Sequence, residues 1–285
     1  MRVAVSHLTR LDFGHEVMES VMDTHLGPRD DADQRVDRFV LRLEPAGHVK
    51  TYRDGFANAA HLVTHTRPHV FLQVTAESEV LTQLADPFEL PKRNPEPLNP
   101  MELADGLDPS PLVPRLPAVL AMAGPFRPAD PLDSFEAVRK MSEMIYHDFA
   151  YRQGVTDVHT TVAQIVENRR GVCQDFAHLL IGLCRAIDIP ARYASGYIVV
   201  NGETEGAPTR GSDASHAWVE AFTPTHGWRG FDPTNNLVAN DRYVKIAIGR
   251  DYKDVPPTRG TYQGGGTERL TIAVSVRAID QSGSR

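Results

Sequence analysis

Three residues in this chain have the types and the order needed for nucleophilic chemistry. Cys173 stands in Gly171-Val172-Cys173-Gln174-Asp175-Phe176-Ala177-His178, His216 in Ser215-His216-Ala217-Trp218, and Asp232 in Gly230-Phe231-Asp232-Pro233. A thiolate attacks a carbonyl carbon. An imidazole stabilises that thiolate as an ion pair and then protonates the leaving group, and a carboxylate holds the ring in one tautomer. His216 lies 43 residues after Cys173, and Asp232 lies 16 after His216. Only the elements between them can bring the three together.

The first of those elements is a helix. It starts near Cys173, carries Phe176, Leu179, Leu180, Leu183 and Ile187, and stops at Asp188-Ile189-Pro190. Gly171 allows a tight entry. A cysteine at a helix start feels the positive end of the dipole, which favours thiolate. The first-turn amides, those of Cys173 and Gln174 among them, are unused by the helix and can donate to an oxyanion. The Gln174 side chain reads equally as a solvated polar group. Asp175 suits the helix dipole or a structural hydrogen bond, and neither Asp175 nor His178 shares a face with Cys173. Cys184, on the inner side of the same helix, reads as a small buried apolar residue.

Strands are expected over 192–200, 214–222, 227–231 and 243–248. A hairpin of the second and third would set Asp232 beside His216. Trp218, two residues after His216, shares its face and either walls the cleft or fills the core. Tyr193 and Tyr197 share a face of the strand after the helix, where they line a groove or pack. A loop over 201–213, containing Asp213, would border the cleft. Two further helices, from Asp133 or Ser134 to about Tyr151 and from Thr160 to Arg169, complete this region.

The preceding chain has another character. Residues 1 to about 85 alternate polar and apolar side chains, as in 36–43, with turns at Gly47-His48 and Asp54-Gly55, and suggest a small antiparallel sandwich. Residues 87–131 hold 12 of the 21 prolines. They read as a connecting segment with short helical pieces such as Leu116 to Met122. The expected organisation is therefore a β-rich unit over 1–86, a proline-rich connection over 87–130 and an α+β unit over 131–285. That last unit ends in an alternating strand over 270–277. Gly264-Gly265-Gly266 is its one low-complexity tract, and Asp30-Asp31-Ala32-Asp33 reads as a solvated loop.

Composition narrows the classes. The chain has 285 residues, 41% hydrophobic and 24% charged, with net charge -7. That is ordinary for a globular protein and unsuited to a nucleic-acid partner, whose phosphates call for Lys and Arg. Two cysteines do not staple a fold. No stretch approaches the ~20 apolar residues of a membrane span, and no signal-peptide core opens the sequence, so a cytoplasmic setting is expected. His61 and His65 are four apart in strand pattern, and no metal motif or dense acidic calcium loop is present. No metal or cofactor is expected.

Residue chemistry alone leaves Cys173 either an activated nucleophile or a small buried side chain with unrelated polar neighbours. Four ordered blocks carry a resemblance: Gly-Val-Cys-Gln-Asp-Phe-Ala-His-Leu at 171–179, Ile-Pro-Ala-Arg-Tyr-Ala-Ser-Gly-Tyr at 189–197, Ser-His-Ala-Trp-Val-Glu at 215–220 and Gly-Trp-Arg-Gly-Phe-Asp-Pro-Thr-Asn at 227–235. Together they resemble the bacterial transglutaminase-like superfamily. Residues 1–80 resemble its β-rich N-terminal region. Asp54 to Asn58 is similar to that region's Asp-x-x-Gly-Asn turn but departs from it in detail, and 249–257 is similar to the close of such proteins.

The resemblance implies a papain-like core with Cys173 as nucleophile, His216 as base and Asp232 as orienting carboxylate. It implies acyl transfer from a protein or peptide amide, as a peptidase or amidase or else as a glutamine transamidase. A binding module that has kept the fold is the alternative of another class, and the intact Cys-His-Asp set speaks against it.

Overall fold

The computed structural model describes residues 1–156, 160–200, 210 and 215–279. Its first unit is built from β1 (Arg2–Thr24), β2 (Gln34–Glu44), β3 (His48–Arg53), β4 (Ala59–His65) and β5 (His69–Thr82). A connecting segment carries α1 (Pro100–Leu107) and α2 (Pro117–Ala123). The second unit runs through α3 (Ser134–Asp148), β6 (Ala150–Tyr151), α4 (Val162–Asn168), β7 (Arg170–Gly171), α5 (Cys173–Ala186), β8 (Ala191–Ile198), β9 (His216–Thr223), β10 (Gly227–Asp232), β11 (Leu237–Val238) and β12 (Tyr243–Gly249). The chain then returns through β13 (Thr258–Gly264) and β14 (Glu268–Ala278).

The expected sandwich is one antiparallel sheet bent across its middle. β5 and β4 lie end to end along one side of β1, with Leu81 to His69 opposite Arg2 to Val17 and His65 to His61 opposite Ser20 to Thr24. β14 and β13 lie end to end along the other side. β2 and β3 extend the sheet beyond β5 and β4. Each long strand breaks at the same level. The register of β1 shifts between Asp12 and Val17, and Gly264-Gly265-Gly266 turns with all three φ positive, a conformation glycine adopts without a Cβ clash. The bend brings Leu72 and Val74 from one arm against Met22 and Val63 from the other, in a core separate from the main one.

The tail therefore belongs to the first sheet. The strand expected over 270–277 lies within β14, with Leu270 and Ile272 exposed and Val274 and Val276 half-buried, and its ladder partner is β1. Periodicity reports a strand and its faces; it is silent on which distant strand pairs with it.

The second unit packs α5 against the sheet β11-β10-β9-β8-β12. α5 is buried all round from Asp175 to Arg185, as a central core helix must be. Leu179, Leu180, Ile181 and Leu183 are fully buried, each worth about 1.5–3 kcal/mol of burial. α3 covers the sheet with Phe135, Val138, Met141 and Ile145, and α2 from the connecting segment lies along α5. No helix among the described residues is long and apolar enough to cross a membrane.

β12 is an edge strand, and its exposed backbone groups are capped by two side-chain amides from the first unit. Gln34 donates to the Lys245 carbonyl (2.7 Å) and accepts from its N–H (2.8 Å). Asn58 does the same to Ile248 (2.7 and 2.9 Å). Asp54 holds Asn58 in place, accepting from its backbone N–H and its Nδ2 (both 2.8 Å). The Asp54 to Asn58 turn thus blunts a sheet edge and joins the two units.

Asp31 and Asp33 are half-buried and face Lys245, with Asp31 at 2.9 Å. Asp31 and Asp33 are thus inward-turned ion-pair partners, while Asp30 and Ala32 are exposed as a solvated loop would be. The buried Lys245 that recruits it is 212 residues away from Asp33 in sequence.

Candidate active site

The chain enters α5 through a locked turn. Thr161 caps α4, and Arg169 ends it in the left-handed region at φ 51°. β7 then pairs with β6, with Tyr151 opposite Gly171. Asp175 reaches back from the first turn, accepting from the Val172 N–H (2.8 Å) and the Thr156 hydroxyl (2.7 Å). Its carboxylate lies against Gly171, where a Cβ would fall 2.7 Å from Asp175 Oδ2. Glycine at 171 is thus required by close approach. Cys173 opens the helix half-exposed, as a free thiol. The first intrahelical bond runs from Phe176 N–H to the Val172 carbonyl, so the amides of Cys173, Gln174 and Asp175 point out of the helix start.

β9 and β10 form the expected hairpin, with Val219 opposite Phe231. Continuing that register sets Asp232 across from Trp218 and diagonal to His216, on one face of the sheet. His216 Nε2 donates to Asp232 Oδ2 at 2.7 Å, with both side chains fully buried.

Asp232 is saturated. Its Oδ2 also accepts from Asn235 Nδ2 and the Tyr243 hydroxyl (both 2.8 Å), and its Oδ1 accepts from the N–H groups of Thr234 (2.9 Å) and Asn235 (3.3 Å). Burial opposes the charge on Asp232, but His216 and the donors of Asn235 and Tyr243 outweigh it and hold the carboxyl below its ordinary value. Burial also opposes charge on His216. The Asp232 charge and hydrogen bond outweigh this, Cys173 adds to them, and the ring is pushed up to about 10. His216 Nδ1 has no hydrogen-bond partner of standard geometry. It is the ring atom left for the thiol.

Trp218 is buried and stacks near His216, at 6.3 Å between centroids and 26° between planes, and meets Tyr243 edge-on. It fills the space over Gly196 and Gly230. Gln174 is half-buried at the second helical position. Tyr193 and Tyr197 lie in the main core. Tyr193 packs on His178, and the Tyr197 hydroxyl bonds His7 of β1 at 2.7 Å. His178 is buried, accepts from Tyr252 N–H, and is pushed down to about 4 by burial, so its ring is neutral. Asp213 and most of the 201–213 loop lie outside the described residues, while Arg210 is described. Among the described residues no cluster of three or more His, Cys, Asp or Glu side chains could hold a metal.

Three participants escaped the sequence reading. Tyr243 and Asn235 hold Asp232, and Arg210 is fastened to Asn235, accepting at its carbonyl (3.2 Å) and donating from its N–H (2.8 Å). Asn235 sits inside the fourth block, so its spacing of three from Asp232 was an available signal. Tyr243 comes from an edge strand and gave none.

A thiol at a helix start, facing an imidazole and carboxylate on a following antiparallel sheet, defines the class: a papain-like cysteine fold. The comparisons narrow it. The family model "Transglutaminase-like superfamily" matches residues 125–233, and "Bacterial transglutaminase-like N-terminal region" matches 3–81. An uncharacterized protein of Mycobacterium tuberculosis is 35% identical over 309 aligned positions, covering 99% of this chain and 94% of its own. One from Mycobacterium leprae is 31% identical, covering 98% and 99%. A solved structure from Cytophaga hutchinsonii, named a "Putative Cysteine Protease", superposes with TM-score 0.77 at 22% identity, over all of this chain and 92% of that one. The chain belongs to the transglutaminase-like superfamily.

Proposed function

We propose that this protein is a cysteine-dependent acyl-transfer enzyme that hydrolyses an amide or isopeptide bond of a protein or peptide. The observation that supports this is the buried His216–Asp232 pair, with one ring nitrogen bound to the carboxylate and the other left for the thiol at the start of α5. An imidazolium favoured up to about pH 10 has a thiolate as its natural counter-ion.

The Cys173 sulfur attacks the carbonyl carbon, forming the S–C bond. The amides of Cys173 and Gln174 at the helix start receive the oxyanion. Collapse of the tetrahedral species breaks the C–N bond, and His216 gives its proton to the departing amine. The acyl group is then a thioester on Cys173. Water, deprotonated by His216, attacks it, the S–C bond breaks, and a carboxylic acid leaves with the thiolate restored. Asp232 keeps the ring oriented throughout.

A second reading, transamidation, is favoured by one observation. A protein named "Protein-glutamine gamma-glutamyltransferase" from Pseudomonas aeruginosa is 38% identical over 74 residues, a quarter of this chain. In that case an amine takes the place of water. Incubating the protein with a peptide library, with and without a small primary amine, and analysing products by mass spectrometry separates the two. Shortened peptides support hydrolysis, and amine-tagged glutamines support transamidation. No change in any peptide by wild type relative to Cys173→Ala would sink both.

A further inference from the structure

We infer that Arg210 is a specificity-determining residue that draws acyl donors carrying a carboxylate, such as acidic peptides, to Cys173. The inference rests on the nucleophile assignment above.

Three contacts place Arg210 between Asn235, which holds Asp232, and two tyrosines near the entry to α5. Its backbone is gripped on both polar groups by the Asn235 side chain, and Asn235 also donates to Asp232. Its guanidinium lies over the Tyr146 ring at 4.6 Å. It also stands 6.0 Å from the ring of Tyr151. Tyr151 pairs with Gly171, two residues before the nucleophile. Arg210 therefore spans the gap between the carboxylate end of the triad and the entry to α5.

Among the described residues its charge meets only aromatic faces. Other arginines near the second unit are spent on protein partners: Arg192 on Glu220, Arg185 on four backbone carbonyls, Arg242 on the Val199 carbonyl. Among the described residues no carboxylate pairs with the Arg210 guanidinium, and its Nη1 is buried without a hydrogen-bond partner. The tyrosine faces hold the guanidinium plane by cation–π attraction and leave its in-plane donors for another acceptor. A planar fork of N–H donors matches a carboxylate. The protein's net charge of -7 repels anions at long range, so a cation at the cleft is what would let an anionic donor approach.

The test uses two alkylating reagents of similar size that differ in charge, iodoacetate and iodoacetamide. Second-order rates at Cys173 are followed by mass spectrometry for wild type, Arg210→Gln and Arg210→Lys. The backbone grip of Asn235 survives both substitutions. The expected result is that Arg210→Gln slows iodoacetate about three- to tenfold and leaves iodoacetamide unchanged. Arg210→Lys should keep most of the wild-type ratio, and added salt should bring the wild-type ratio toward that of Arg210→Gln. An unchanged ratio in Arg210→Gln, or equal slowing of both reagents, overturns the inference. The nucleophile assignment fails separately, if Cys173 meets iodoacetamide no faster than glutathione does; the charge ratio is still read in that case.

Discussion

Strand β9 carries two buried ionic centres four residues apart, His216 and Glu220, on one face. Both come from the same short block of sequence. They differ in how completely they are satisfied. Glu220 is closed on both oxygens: Lys245 donates to Oε1, and Arg192 to Oε2 at 2.7–2.8 Å. His216 is closed on one side only, with Nε2 on Asp232 and Nδ1 unpartnered. A saturated pair can only hold structure, and here it ties β8, β9 and β12 to Asp31 of the first unit. A pair with one open atom has a ring nitrogen left for another group, which is what the proposed function requires.

The largest effect should come from the open centre. Cys173→Ser or His216→Ala should lower turnover by on the order of a thousandfold or more. Asp232 keeps four other donors when His216 is removed, so the fold should survive, as checked by far-UV circular dichroism and thermal melting. If activity and melting temperature fell together in Cys173→Ser, which leaves the His216–Asp232 pair in place, the division between the two centres would be broken.

The closed centre should behave in the opposite way. Glu220→Ala leaves Lys245 buried without its strongest partner and should cost about 3–5 kcal/mol of stability. Urea unfolding would measure it. Turnover per folded molecule should change little.

The pH dependences should also run in opposite directions. Burial pushes Glu220 up, but Lys245 and Arg192 outweigh it and hold the carboxyl down to about 2, from an ordinary value of 4.5. Its stabilisation is present above pH 4.5 and is lost as pH falls toward 2. His216 is raised from 6.5 to about 10. Its stabilisation is present below pH 6.5 and is lost as pH rises through 10. Melting temperatures across pH should flatten on the acid side in Glu220→Gln and on the alkaline side in His216→Ala. A single variant that altered both limbs would show the centres to be coupled.

The smallest effect sharpens the comparison within the open centre. Tyr243→Phe removes one of five donors to Asp232 and should cost about 1.5 kcal/mol of stability. With one donor fewer, the carboxylate attracts the imidazolium more strongly. The alkaline limb of the rate profile should therefore move up, which loss of packing alone would not produce.

Much of the site was legible because its parts have local signatures. The start of α5 at Cys173 follows from the Gly171 entry, and the strands at 214–222 and 227–231 follow from periodicity. The expected strands of the second unit and the helices α4 (Val162–Asn168) and α5 fall within a residue or two of where the pattern put them, while α3 stops at Asp148, three residues short of the expected Tyr151, and the two-residue strands β6, β7 and β11 were not expected. Tyr193 and Tyr197 share a face as expected, and the pattern was blind to which neighbour that face meets. Tyr193 meets His178 of α5, and Tyr197 meets His7 of the first unit. α1 was missed because prolines mask a short helix whose Asn99 cap and Pro100 are start signals. β13 was missed because Thr258 to Gly264 is polar and lies at an exposed edge.

The sequence by itself determined which residues can do chemistry and on what kind of element each sits, because helix starts, strand faces and turns depend on neighbours a few residues away. The tertiary structure decided everything that depends on distant partners. It chose Tyr243 as a holder of Asp232, sent the tail back to β1, turned Asp31 inward onto Lys245, and brought Arg210 against Tyr146 and Tyr151. Each is a contact between residues far apart in the chain, set by how buried charges and open strand edges find their partners.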